Sequence, residues 1–312
     1  MTMNDEQRRA KAEAELCELR IIELNLRPVQ GHFDAEHLRE VNRRIFQDLP
    51  ELGFTDVTPG IYRPEVPQGK DWMKMRALDS APGSFFVAYS KMDSQARDRL
   101  DAVLKDADPV ALSSLTTKEF TQFLAKLYSE LDYIHPFPDG NSRTLRAFTG
   151  QLATVSGYDI DWTKFAETAA GRDILYIARD LAVFPLAKAQ IEHPNNLMKL
   201  VSTANRLEGN RTLESLLSDV TKPSRALAFE KYPEAEALTR FPELASSYQV
   251  QKASRRFLTE KYSSDPLAIE QGMKLVTKQL QARLDANSVP QYDVQDRKEV
   301  GIVQPKGHDR ER

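Results

Sequence analysis

The 312-residue sequence predicts an all-α fold that carries one short β-hairpin, with a small helical module towards its C-terminus. Three observations predict it. Apolar residues recur at helical spacing along most of the chain, one stretch over residues 72–89 is short, aromatic and β-branched, and Pro and Gly gather at a few breaks between the periodic segments.

The first helix is marked by Leu16, Leu19, Ile22 and Leu26. After GHFD, Asp34 caps a second, in which Leu38, Val41, Ile45 and Leu49 form a stripe towards a core while Arg39, Arg43 and Arg44 point elsewhere. From Pro50 to Pro67, Gly53, Pro59, Gly60 and Pro64 break both periods and predict an extended loop. WMKMRAL, a turn at Ser80 to Gly83 and SFFVAY then make a hairpin over Trp72 to Tyr89. Helices follow at Ser94 to Lys105 and Thr117 to Tyr133; Phe120, Phe123, Leu124, Leu127, Tyr128 and Leu131 make the second of these central. HPFPDGN cannot continue it and predicts a tight loop. The next helix begins near Asn141, turns Leu145, Phe148, Leu152 and Val155 inward and stops at Gly157. Arg172 to Gln190 and Asn196 to Leu207 read as further helices.

Beyond about Pro223 the composition shifts, and Tyr232-Pro-Glu-Ala is echoed by Phe241-Pro-Glu-Leu, each proline suiting the first position of a helix. Helices at Tyr248 to Tyr262 and Pro266 to Ala286 complete the module. The expected parts are a core over 1–200, connecting helices over 201–222, an accessory module over 223–287 and a disordered tail over 288–312.

A net charge of −3 gives no reason to expect direct nucleic-acid binding. The lone Cys17 excludes an internal disulfide framework and a thiolate zinc site. No apolar run is long enough for a membrane span, and the start lacks the apolar stretch of a signal peptide, so the expected location is cytoplasmic, with export into a host or recipient cell left open. His32 and His37, five apart, do not share a helical face and are expected as ordinary polar surface residues.

The chemistry gathers in HPFPDGNSRTLR, a loop running into a helix N-terminus. Gly140 lets backbone amides converge, and Asn141 and Ser142 open the helix, making an anion-binding nest. Arg143 and Arg146 lie three apart within the first two turns and can reach the oxygens of a polyphosphate. Asp139 beside an anion calls for a divalent cation, and His135, titrating near neutrality, can take a proton from an attacking hydroxyl. Each residue type alone has a bland reading as loop, turn or solvated face; their joint spacing carries the prediction. HExxH, GxSxG, the Walker loop and the dinucleotide glycine pattern are missing.

This segment resembles the signature of Fic-domain proteins, HxFx(D/E)GN(G/x)RxxR, with only Ser142 departing from the preferred glycine. GHFDAEHLREVNRRIFQDL and LYIARD at Leu175 to Asp180 resemble further landmarks of the family. The resemblance implies a Fic-type helical core that binds Mg-ATP. Its phosphates would sit on Gly140, Asn141, Ser142 and Arg143, the γ-phosphate on Arg146, and Mg²⁺ on Asp139. His135 would be the catalytic base for transfer of AMP to a Ser, Thr or Tyr hydroxyl of a target protein, with Phe137 as a core anchor. The hairpin would be a flap whose Phe85, Phe86 and Tyr89 dock the target as an added strand.

By the same resemblance the activity is that of a toxin or effector, the target a type II topoisomerase or a small GTPase. Glu208, in Glu-Gly-Asn but with Ala204 where a hydroxyl is expected, is either an ordinary helix C-cap or an internal brake that would pair with the last arginine of the signature; otherwise a separate small antitoxin would supply the glutamate. Two other readings stand beside this one: a catalytically idle Fic-fold interaction protein, and a kinase of the Doc type. Doc-type relatives replace the first glycine and lack the last arginine, whereas Gly140 and Arg146 are present here.

Overall fold

In the computed structural model, which describes residues 5–165 and 168–290, the chain divides into one compact unit up to Ser224 and another from Arg225. The first unit opens with helices α1 (Asp5–Leu26) and α2 (Ala35–Phe46). Strands β1 (Trp72–Leu78) and β2 (Ala81–Tyr89) follow, then helices α3 (Ser94–Leu104), α4 (Pro109–Ser113), α5 (Thr117–Ile134) and α6 (Asn141–Val155). Strand β3 (Tyr158–Ile160), helices α7 (Ala169–Lys188), α8 (Pro194–Leu207) and α9 (Leu213–Val220), and strand β4 (Thr221–Pro223) complete it.

Helix α5 runs through the middle. A capping box starts it: the Thr116 hydroxyl accepts from the Glu119 amide while the Glu119 carboxylate accepts from the Thr116 amide. Phe120, Leu124, Leu127, Tyr128 and Leu131 are buried along it, against Phe148 and Leu152 of α6 and Val183 of α7. Fully burying side chains of this size contributes roughly 1.5–3 kcal/mol each, so the bundle needs no disulfide, and Cys17 is buried and free.

The hairpin is antiparallel, with Trp72 opposite Tyr89 and Lys74 opposite Val87. Its turn falls at Asp79 and Ser80, slightly ahead of the turn expected at Ser80 to Gly83, and Asp173 of α7 accepts from the Ser80 amide. Arg76 makes a two-pronged ion pair with Asp180 of α7, at 2.6 and 2.9 Å, and donates to the Tyr89 hydroxyl. The outer side of β2 is covered by α8, where the Thr203 hydroxyl accepts from the Phe86 amide. Among the described residues no further strand pairs with β1, whose outer edge is therefore the open one.

Three expectations change. Leu19, Ile22 and Leu26 of α1 are exposed, and the helix buries Cys17 and Leu24 instead: the apolar residues of α1 exceed what its single contact face can cover. Val155, in the last turn of α6, is likewise exposed. His37 is not a surface residue. It is buried, stacked on Phe33, edge-on to Phe148 and within hydrogen-bond reach of Gln151.

The short helices α4 and α9 and the β3–β4 pair were too brief to stand out in the pattern. Helix α10 (Ser224–Lys231) follows, and the second unit continues with α11 (Glu234–Arg240), α12 (Ala245–Lys261) and α13 (Pro266–Asp285) around Phe229, Leu244, Tyr248, Leu280 and Leu284. Of the tail expected over 288–312, residues 291–312 lie outside the described residues.

Candidate active site

The loop from His135 to Gly140 is held by its own residues and by a buried arginine. His135 ends α5 in the left-handed conformation, with φ 49° and ψ 59°, a geometry uncommon for a side-chain-bearing residue and stable only when its surroundings enforce it. Arg63 does so. Its Nε donates to the His135 carbonyl at 2.8 Å, its Nη2 to the carbonyls of Ile134 and Ser90, and its amide to the Pro136 carbonyl. Among the described residues the guanidinium has no carboxylate within ion-pair distance; the Trp72 ring lies 3.6 Å away.

Asn141 closes the loop from the other side, its side-chain oxygen accepting from the Phe137 amide at 3.0 Å and its amide group donating to the Phe137 carbonyl at 2.7 Å. Phe137 itself is buried in the core. Gly140 is required twice over. Its φ is +73°, and a Cβ there would lie 2.0 Å from Cζ of Phe46.

Helix α6 then begins without a side-chain cap, unlike α2 and α5, which leaves the amides of Asn141, Ser142 and Arg143 pointing out of its N-terminus. The predicted nest is thus narrower than expected. The Gly140 amide is already used by the Asp139 carboxylate at 2.7 Å, and the Asn141 side chain staples the loop, so Asn141 offers an outside anion only its main-chain amide. The Ser142 hydroxyl accepts from Arg179 at 2.9 Å, and Arg143 is ion-paired with Glu13 of α1 at 2.5 Å. Among the described residues Arg146 makes only a weak bond, to the Ser142 carbonyl, and it lines a cavity of about 320 Å³ together with Ser142, Phe165, Leu175 and Tyr176.

The neighbours of His135 favour one tautomer. Nδ1 faces the Asp132 carbonyl oxygen at 3.3 Å, which can only accept, and Nε2 faces Lys74 Nζ at 3.4 Å, an ammonium that can only donate. The lone pair is therefore on Nε2, the nitrogen a base needs. Burial pushes the imidazole down to about 4, against the opposing pull of the Asp132 carboxylate. The ring is not open to solvent: Tyr89 stacks on it at 3.8 Å, Trp72 meets it edge-on, and only 5% of the residue is exposed.

Two expectations fail here. Phe85, Phe86 and Tyr89 do not present a docking face, because β2 is turned into the fold. Phe85 packs with Leu78, Ile177 and Leu207, Phe86 lies under α8, and Tyr89 roofs the base; the free edge belongs to β1, with Met75 exposed. Glu208 does not reach Arg146. It is exposed at the C-terminal cap of α8, ahead of a left-handed Gly209, and pairs with no cation among the described residues. The acid facing a signature arginine is Glu13, and its partner is Arg143.

Residues 32–153 match the model of the Fic/DOC family. They form a Fic/DOC family domain. The chain is 29% identical over 163 residues to the protein adenylyltransferase VbhT of Bartonella schoenbuchensis, across 52% of this chain and 30% of VbhT. It is 25% identical over 164 residues to the probable protein adenylyltransferase Fic of Escherichia coli, across 52% of this chain and 70% of that protein. A similar solved structure is the ADP-bound N-terminal Fic domain of a putative cell filamentation protein from Bartonella quintana, at 21% identity and a TM-score of 0.47, covering 72% of this chain and 90% of that one. The chain thus spans less than a third of the length of VbhT.

Around the Fic signature, Glu13, Arg63, Lys74, Asp132 and Arg179 were missed by sequence reasoning. Asp132 had a signal, the i, i+3 spacing to His135 on one helix, and Arg179 lies within the LYIARD segment. The other three come from distant segments, and no local pattern marks them.

Two predictions follow from this geometry. Gly140→Ala forces a strained φ and displaces the Phe46 ring, which costs roughly 2–5 kcal/mol and should appear as a lowered melting temperature. In a histidine NMR titration, the signal lost in His135→Ala should have its midpoint near 4. Between the ordinary histidine value of about 6.5 and that midpoint the unfolded chain binds a proton that the folded one does not, so His135 makes the fold lose stability as pH falls through this window.

Proposed function

We propose that this chain transfers the AMP part of ATP to a Ser, Thr or Tyr hydroxyl of a target protein, as a toxin or effector. The observation that carries the reading is a neutral imidazole with its lone pair favoured on Nε2, joined through a carboxylate and a guanidinium to an uncapped helix N-terminus. The names of the relatives, protein adenylyltransferases, support it.

In the proposed reaction the polyphosphate lies on the amides of Asn141, Ser142 and Arg143, with Arg146 reaching its far end. The nucleoside takes the cavity beside Ser142, Arg146 and Tyr176. A larger cleft, of about 560 Å³ beside Asp34 and Arg39, mixes both signs of charge and contains no residue of the signature loop, so it is the poorer candidate. Asp139 is exposed and uses one carboxylate oxygen on the Gly140 amide, which leaves the other for Mg²⁺, whose charge would offset that of the phosphates. His135 Nε2 takes the hydroxyl proton, the hydroxyl oxygen bonds to the α-phosphorus, and the bond from that phosphorus to the bridging oxygen breaks, so pyrophosphate leaves with the electron pair.

Two contacts have to give way first. Lys74 occupies Nε2, and Glu13 holds Arg143. The same contacts favour a second reading, a Fic-fold interaction protein that is catalytically idle. Kinase chemistry is the remaining alternative.

Incubation with α-³²P-ATP and cell lysate should label a protein that mass spectrometry then identifies, which also tests a topoisomerase or small GTPase as the target class. His135→Ala should abolish the label. Label from γ-³²P-ATP instead would establish the kinase, and no label from either the idle protein. Glu13→Ala frees Arg143 and should tighten ATP binding roughly 10- to 150-fold, the equivalent of the roughly 1.5–3 kcal/mol expected for a charge-assisted contact; an unchanged affinity in calorimetry would show that the ion pair does not hold the site back.

A further inference from the structure

One arginine of α7 touches both halves of the site. Arg179 is 2% exposed, and its donors divide three ways: Nε to one oxygen of Asp132 at 3.0 Å, Nη2 to the other at 2.7 Å, and Nη1 to the Ser142 hydroxyl at 2.9 Å. Asp132 is wholly buried, one turn before His135 on α5, and its Oδ1 lies 3.6 Å from His135 Nδ1. The result is a continuous chain from the first turn of α6, through a guanidinium and a carboxylate, to the back of the imidazole.

Stability does not account for this placement. Moving both charges out of water costs several kcal/mol per ion, and apolar side chains of similar volume would hold a core at least as well. The pair instead supplies what the loop lacks. His135 sits on a strained left-handed residue, and the Asp132 carbonyl at 3.3 Å is a long contact with which to fix a ring that has to present Nε2. A buried carboxylate behind Nδ1 orients the ring and supports the imidazolium that forms as the proton arrives. The carboxylate stays ionised: burial raises its affinity for a proton, but Arg179 and His135 outweigh that and hold it below the usual carboxylate range. Ser142 gives Arg179 its third acceptor, and thereby fixes the guanidinium to the turn whose amides face the phosphates.

We propose that Asp132 is a positioning residue for His135, that Arg179 is its counter-ion and anchor, and that the Ser142 hydroxyl ties this pair to the phosphate-binding turn. The inference rests on the AMP-transfer reading, in which His135 is the base. The titratable and charged groups facing the ring are Lys74 from β1, Tyr89 from β2, Asp132 from its own helix and, behind Asp132, Arg179 from α7; the first two are untouched by the variants below.

Three proteins are compared with the wild type: Asp132→Asn, the double variant Asp132→Leu with Arg179→Met, and His135→Ala. The double variant removes both charges at once and so should fold, which circular dichroism and a melting curve check. With the target identified by labelling, Asp132→Asn and the double variant should lower kcat on the order of 10–100-fold, with KM for ATP within about twofold, because the phosphate contacts of α6 remain. In Asp132→Asn the acidic limb of the rate profile should move to lower pH, since the charge supporting the imidazolium is gone.

A second measurement needs no turnover. In ¹⁵N-labelled protein, the wild-type ring should carry its proton on Nδ1 alone, and the double variant, in which only the long main-chain contact and Lys74 still bias the ring, should show a measurable fraction of the Nε2–H tautomer. Folded variants with wild-type kcat, rate profile and tautomer would overturn the proposal and leave a purely structural ion pair. A wild type that transfers no AMP defeats the functional reading, and the tautomer measurement still decides whether Asp132 positions the ring.

Discussion

The left-handed turn at His135 is the constraint around which the Fic domain is arranged. A helix of eighteen residues has to end at one residue and a second long helix has to begin six residues later, with the side chain at the break aimed at chemistry and not at solvent. Nothing in an isolated chain favours that conformation for histidine. It is enforced from three sides: Arg63 binds the carbonyls behind it, Asn141 closes the loop ahead of it, and Phe46 fills the space that a side chain on Gly140 would need. Each clamp comes from a different part of the chain, so the loop can form only as the bundle does.

The fold and the loop were legible in the sequence to different depths. Long helices such as α5 declare themselves because six apolar side chains on one face leave a single way to be buried, and the breaks around HPFPDGN follow from what proline and glycine cannot do. Burial was less legible. The apolar stripe of α1 and the histidine at position 37 show that periodicity says which residues share a face, while the neighbours decide whether that face is covered.

For the site, the signature named the residues but not their present partners. Gly140 was expected to bend the chain so that amides could converge; it does take the left-handed geometry, but the stricter reason for glycine is an aromatic ring from α2. Asn141 was placed among the phosphate contacts, whereas its side chain holds the loop shut. Glu208 matched a pattern and pairs with no cation among the described residues, while Glu13 matched none and grips Arg143. Such partners depend on which distant segments the fold brings together, and one sequence without its geometry carries no record of that.

The roof over the imidazole bears on the fate of the nucleotide. Trp72, Lys74 and Tyr89 all belong to the hairpin and together leave the ring almost no contact with solvent. For the proposed enzyme this closure selects between two competing nucleophiles. A lone water brings no main chain to line up along the edge of β1 and little to replace the contact between Lys74 and Nε2, so the closed hairpin disfavours it. In the proposed reaction, a polypeptide laid along that strand would supply the main-chain partners that water lacks. An idle molecule with ATP aboard would then waste little of it by hydrolysis.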